Sequence, residues 1–249
     1  MTPEYKMVGF KNYAKLLASR DFSQALSNTL VFCVFSAVFS IALGLGMALL
    51  LEKKFKGKSF FSGLVFSPWI TPTVAVSLVW MWIYDADHGM ANAVLHLFSL
   101  PGLKWVGSSK TAMLSVIIVT VWKSIGYNAI LYLAALEKVP RSLYEAASLD
   151  RASKWGTFLR VTLPGISPTT FFLAVISTIN GLQAYDQIQV LTQGGPAGST
   201  RTLLYLYYQL GFQQYKMGQA ASAAVVLMLA IAVLSALQWA LSKRAVSYR

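Results

Sequence analysis

Five stretches of the chain are apolar for long enough to cross a bilayer: about Ser27–Leu51, Phe60–Tyr84, Thr111–Leu136, Thr169–Thr192 and Met217–Leu241. A helix of about 20 apolar residues matches the hydrocarbon core. In lipid each backbone amide must bond within its own segment, so these stretches predict helices. Between them lie a basic turn at 52–59, a loop at 85–110 and a polar stretch at 137–168. A Gly-rich connection holds Gly194, Gly195 and Pro196. The 85–110 loop has room for a short helix around Met90–Phe98. Residues 1–26 are mixed and polar, with no apolar run behind a basic start, so they do not read as a signal peptide. The expected fold is all-α: a polytopic membrane bundle of five helices with a helical loop at 137–168.

Composition agrees. Hydrophobic residues make up 56% of the chain and charged residues 12%, against about 25% charged in soluble domains. Mean hydropathy is +0.55. The net charge of +12 would suggest nucleic-acid binding in a soluble protein. Here the Lys and Arg lie mainly between apolar spans, where membrane topology accounts for them. Lys53, Lys54, Lys56 and Lys58 fill the first turn, and Lys138, Arg141, Arg151, Lys154 and Arg160 fill 137–168. Lys243, Arg244 and Arg249 end the chain. With five spans these segments share one side, which the positive-inside rule makes cytoplasmic. The opposite side carries only Lys104, Lys110, Arg201 and Lys216 in its loops. Residues 1–26 then fall outside, although they hold Lys6, Lys11, Lys15 and Arg20. A basic start is hard to export unaided, so a further helix upstream is expected. The organisation is an extracytoplasmic segment at 1–26 and a transmembrane domain at 27–249.

Enzyme chemistry finds little support. Cys33 is the one cysteine and lies in an apolar span. His88 and His96 stand on a loop without carboxylate or cysteine neighbours at ligand spacing. Gly57-Lys58-Ser59 resembles the end of a phosphate loop, but Glu52 stands where that loop requires glycine. No catalytic residues, metal or cofactor are expected.

The segment Glu145–Pro164 reads EAASLDRASKWGTFLRVTLP. It resembles the EAA loop of ABC importer permeases in Glu145, Ala146, Ala147, Asp150, Ala152, Phe158, Leu163 and Pro164. Arg151 stands where that family has glycine, which would suit a sharp turn. Gly9-Phe10-Lys11-Asn12-Tyr13, Trp122-Lys123, Tyr127, Val139-Pro140 and Thr192-x-Gly194-Gly195-Pro196 extend the resemblance to the binding-protein-dependent sugar permeases of maltose and glycerol-3-phosphate type.

The resemblance implies a plasma-membrane subunit working with a second permease subunit, two ATP-binding cassette ATPases and an extracytoplasmic substrate-binding protein. Glu145, Ala146, Ala147, Leu149, Asp150 and Phe158 would form the ATPase-coupling surface. A local alternative exists, because Ser142-x-x-Glu145 also reads as a capping box. Polar residues at membrane depth mark the substrate path. Thr120, Lys123, Ser124 and Tyr127 share a face of the third span. Ser177, Asn180, Gln183 and Asp186 lie along the fourth. The alternative use of these groups is bonding between helices. Lys123 and Asp186 form a candidate ion pair, and Lys123 a candidate contact for an anionic cargo. Pro68 and Pro72 are placed to kink the second span and free carbonyls. A secondary transporter or channel is the rival reading; it calls for inverted repeats or a midplane acid.

Overall fold

The computed structural model describes residues 7–53 and 55–245. Lys6, Lys54 and Arg249 lie outside the described residues, as do the side chains of Lys243 and Arg244. Every regular element among the described residues is helical.

A short helix α1 (Lys11–Leu17) leads into α2 (Arg20–Glu52), which Ser19 starts by accepting from the amide of Phe22. At 33 residues and 1.5 Å per residue, α2 is about 50 Å long and outreaches a hydrocarbon core of about 30 Å. Its buried positions include Ala25, Thr29, Cys33, Ser36, Ser40, Gly44 and Ala48. That row is small and recurs every three or four residues, as close packing between membrane helices requires. Thr29, Ser36 and Ser40 donate to carbonyls one turn back on their own helix, and Thr29 Oγ1 also accepts from the amide of Leu203. Leu30, Val34, Val38 and Leu50 point outward. At Gly44 a Cβ would overlap Asn128, so glycine here permits the crossing of α2 and the third span.

The second span is not one straight helix. It consists of α3 (Lys58–Ile70) and α4 (Thr73–Ile83), bent by 99°. Pro72 has no amide to continue α3, and it holds Thr71 extended. Pro68 stays inside α3. The hydroxyl of Ser67 donates to Leu64, whose carbonyl the missing Pro68 amide leaves free.

The expected loop helix is α5 (Met90–Leu97). The third span is α6 (Ala112–Leu136), within one residue of its expected start. The polar stretch folds as α7 (Arg141–Leu149), then α8 (Lys154–Thr157), a π-helical turn at Phe158–Thr162 and α9 (Leu163–Gly165). A 65° bend leads into α10 (Ser167–Leu182). The fourth span therefore ends at Leu182, ten residues before the expected Thr192. Asn180 lies near its end rather than its centre, and Asp186 opens a separate helix α11 (Asp186–Leu191). Then come α12 (Leu203–Tyr208), a π-helical turn at Gln209–Gln213 and α13 (Met217–Ala245). Among the described residues α2, α6 and α13 each have the length and apolarity to cross a bilayer, and counting each bent pair as one span gives five.

Two ends of the bundle are distinct. At one, Ala48, Tyr132, Leu136, Val139 and Ile166 pack together, bringing 52–59 and 137–166 to the same end. At the other, Leu16, Phe22, Ala25, Leu182, Leu206 and Ala220 pack together. There Asn28 donates to the carbonyls of Gly198 and Arg201, Gln24 donates to Ala197, and Arg201 pairs with Asp21 at 2.6 Å. The Gly-rich connection is thus tied to the first turns of α2. Ala220, Ser222 and Ala223 of α13 are buried, in keeping with a small-residue packing surface.

Candidate functional site

A cavity of about 700 Å³ opens between α2, α6, α10 and the α3–α4 break. Thr120, Lys123, Ser124, Tyr127, Ser177, Asn180, Gln183 and Asp186 all line it. The four on α6 share a face, as their spacing predicts. The other four are brought together differently: α10 stops at Leu182, and Gln183 and Asp186 approach from beyond the break. The side chains of Asn180, Gln183 and Ser177 make no hydrogen bond among the described residues, so their polar groups are not consumed between helices. Thr120 and Ser124 bond backward along α6, and Gln187 reaches Thr120 at 3.4 Å.

The Lys123–Asp186 ion pair does not form. Lys123 Nζ instead donates to the carbonyls of Trp69 (3.0 Å) and Thr71 (2.9 Å) at the α3–α4 break. It also lies 5.6 Å from the Trp69 ring centroid. These carbonyls are free because α3 ends at Ile70 and Thr71 is extended ahead of α4, so neither has a helical amide one turn on.

Sequence reasoning missed much of the wall. Trp69, Tyr207, Tyr208, Ser36 and Ser40 line the same cavity. Trp69 lies beside the foreseen proline kink, and Ser36 and Ser40 stand four apart on α2, which is a legible signal. Tyr207 and Tyr208 carry no local signal, since only the fold of α12 brings them near.

The 141–163 segment is a separate, largely exposed surface away from the cavity. Leu149 is 84% exposed and Trp155 67%, with Leu143 and Glu145 also exposed. Ala146 and Asp150 are exposed, while Ala147 and Phe158 are half-buried. Phe158 stacks on Trp155 with centroids 5.3 Å apart. Tyr144 OH meets Thr162 Oγ1 at 3.2 Å, tying α7 to the π-helical turn. The capping box is absent: Pro140 holds the N-cap position, Ser142 is already helical, and no side chain caps α7. The Glu145 carboxylate is therefore left without a local role. Arg151 has φ +52°, the left-handed conformation that glycine adopts freely. The amides of Arg151 and Ala152 close a Schellman turn onto Ser148 and Ala147.

On the 85–110 loop one expectation is corrected. Asp85 Oδ1 lies 3.7 Å from His88 Nδ1, so His88 does have a carboxylate neighbour. The amides of His88 and Asp87 donate to that carboxylate and hold it below the usual carboxylate range.

A family model described as "Binding-protein-dependent transport system inner membrane component" matches residues 40–247. The chain belongs to this family. This importer permease is 34% identical to the trehalose/maltose transport system permease protein MalF of Thermococcus litoralis, over 88% of this chain and 75% of the relative. It is 31% identical to the sn-glycerol-3-phosphate transport system permease protein UgpA of Agrobacterium fabrum, over 97% and 82%. Among solved structures, a bacterial ABC transporter importing the acidic polysaccharide alginate superposes with a TM-score of 0.87 at 25% identity, over 98% of this chain and 86% of that one. The MetNI methionine transporter shares the permease fold at TM-score 0.64 and 18% identity, over 95% and 99%. The permease is a multi-pass protein of the prokaryotic plasma membrane.

Proposed function

We propose that this permease translocates a sugar, or a related polyol or glycerophosphate, through the cavity between α2, α6, α10 and the α3–α4 break. The supporting observation is that one cavity gathers three unpartnered polar side chains, Ser177, Asn180 and Gln183, with the rings of Trp69, Tyr127, Tyr207 and Tyr208. Aromatic walls with a few convergent polar groups suit a compact hydroxylated ligand. The relatives' names point the same way, to trehalose/maltose and glycerol-3-phosphate. Thr120, Lys123, Ser124, Tyr127, Ser177, Asn180, Gln183 and Asp186 belong to this path.

ATP hydrolysis belongs to two separate cassette subunits, which meet the 141–163 knob. Glu145, Ala146, Ala147, Leu149, Asp150 and Phe158 form the coupling surface, with apolar Leu149 and Trp155 entering a groove on the ATPase. The basic end of the bundle is cytoplasmic. The end holding α1 and the Gly-rich connection faces outward, where a substrate-binding protein delivers cargo. A second, related permease completes the path.

Affinity purification of the tagged chain from native membranes tests the assembly. Recovery of a cassette ATPase and a second permease supports the proposal, and the ligand of the genetically linked binding protein names the cargo. Recovery of the chain alone, active in cargo uptake without ATP, would favour a secondary transporter instead.

A further inference from the structure

We propose that Lys123 is a positioning residue, a tethered cation that closes the carbonyl end of α3 and holds the α3–α4 break against α6. The inference rests on the reading of the cavity as the transport path only for its consequence, not for its geometry.

Discontinuous helices in membrane transporters leave backbone carbonyls at the break, and such carbonyls attract cations. Here the carbonyls of Trp69 and Thr71 both accept from Lys123 Nζ, at 3.0 and 2.9 Å. The ammonium also sits at the C-terminal end of α3, where the helix dipole favours positive charge. Two further contacts from the same stretch of α6 fix the break. Tyr127, one turn on, stacks on Trp69 with ring centroids 4.4 Å apart and planes 18° from parallel. Gly126 lets α6 approach so closely that a Cβ there would overlap the Val65 carbonyl. Lys123, Gly126 and Tyr127 therefore grip α3 at three successive points, and the lysine supplies the charge that the freed carbonyls require.

This assigns Lys123 away from two other roles. Its ammonium is not balanced by Asp186, with which it makes no ion pair. Nor is its charge free to select an anionic cargo, since two of its three N–H donors are directed at carbonyls. Lys123 shapes the path by fixing Trp69 and Thr73, which both line the cavity.

The test reads the bend itself. Spin labels are placed at the outward-facing positions Leu64→Cys on α3 and Leu78→Cys on α4, with Cys33→Ala, in the full chain with its partner subunits in nanodiscs. Pulsed electron resonance then gives the distance distribution across the break. The native lysine and Lys123→Arg should give one narrow distribution, and Lys123→Met a broad one shifted to longer distance. In Lys123→Ala, added methylammonium should narrow the distribution again, since a free ammonium can occupy the carbonyls. An unchanged narrow distribution in Lys123→Met overturns the proposal. So does broadening that Lys123→Arg shares and methylammonium does not relieve, because that marks general disruption. These readouts need no cargo, so they stand or fall separately from the cavity's transport role.

Discussion

The indole of Trp69 lies flat against the phenol ring of Tyr127, with centroids 4.4 Å apart. One ring comes from the end of α3 and the other from the middle of α6, so the stack joins a broken helix to a continuous one at the cavity wall. Replacing Tyr127 with Phe retains the stack and removes a hydroxyl that has no partner among the described residues. Uptake of the cargo should fall several-fold through a higher KM, with the protein's thermal stability unchanged. Tyr127→Ala also removes the stacking, worth about 1 kcal/mol, and should lower both uptake and the unfolding temperature.

Asn92 predicts a large effect outside the cavity. Its amide donates to the carbonyls of Ala86 and Leu103, and its oxygen accepts from the Leu103 amide and the Trp105 indole. It is 4% exposed. Asn92→Ala leaves four polar groups unpaired and should cost about 3 kcal/mol, at roughly 1 kcal/mol or less for each. A thermal-shift assay on the purified chain in detergent checks it, with Val94→Ala on the exposed face of α5 as a near-neutral comparison.

The Arg151 turn predicts a gain. A non-glycine residue at φ +52° carries a left-handed penalty of about 1–2 kcal/mol. Arg151→Gly should therefore steady the 141–163 knob by about 1 kcal/mol. Hydrogen exchange at the amides of Arg151 and Ala152 should slow by several-fold. Arg151→Val, β-branched and intolerant of this conformation, should speed it.

How far these features were legible in the sequence varies with how local their causes are. α6 was read almost to the residue because Lys110-Thr111 and Glu137-Lys138 bound an unbroken apolar run. The end of α10 was not, since Gln183-Ala184-Tyr185 is short and Ile188–Leu191 resumes an apolar pattern. Pro72 announced a break, but the 99° bend is packed against Lys123, Gly126 and Tyr127, more than fifty residues away, which no local pattern reveals. The capping box failed because Pro140 takes the N-cap position and the helix starts at Arg141, one residue before Ser142. The eight polar residues read as path-lining do meet in one cavity, because polar groups on membrane helices turn from lipid toward a shared interior. Their partners Tyr207 and Tyr208 entered only through the tertiary fold.

The proposal that an external ATPase drives this permease through the exposed knob is open to direct measurement. Its most direct test is cargo-stimulated ATP hydrolysis by the reconstituted importer carrying Glu145→Lys. Because Glu145 caps nothing, Glu145→Gln isolates its charge from its shape and should show partial loss. Glu145→Lys should insert and assemble with the second permease, while cargo-stimulated hydrolysis and uptake fall at least tenfold. Near-normal cargo-stimulated hydrolysis and uptake in Glu145→Lys would contradict it.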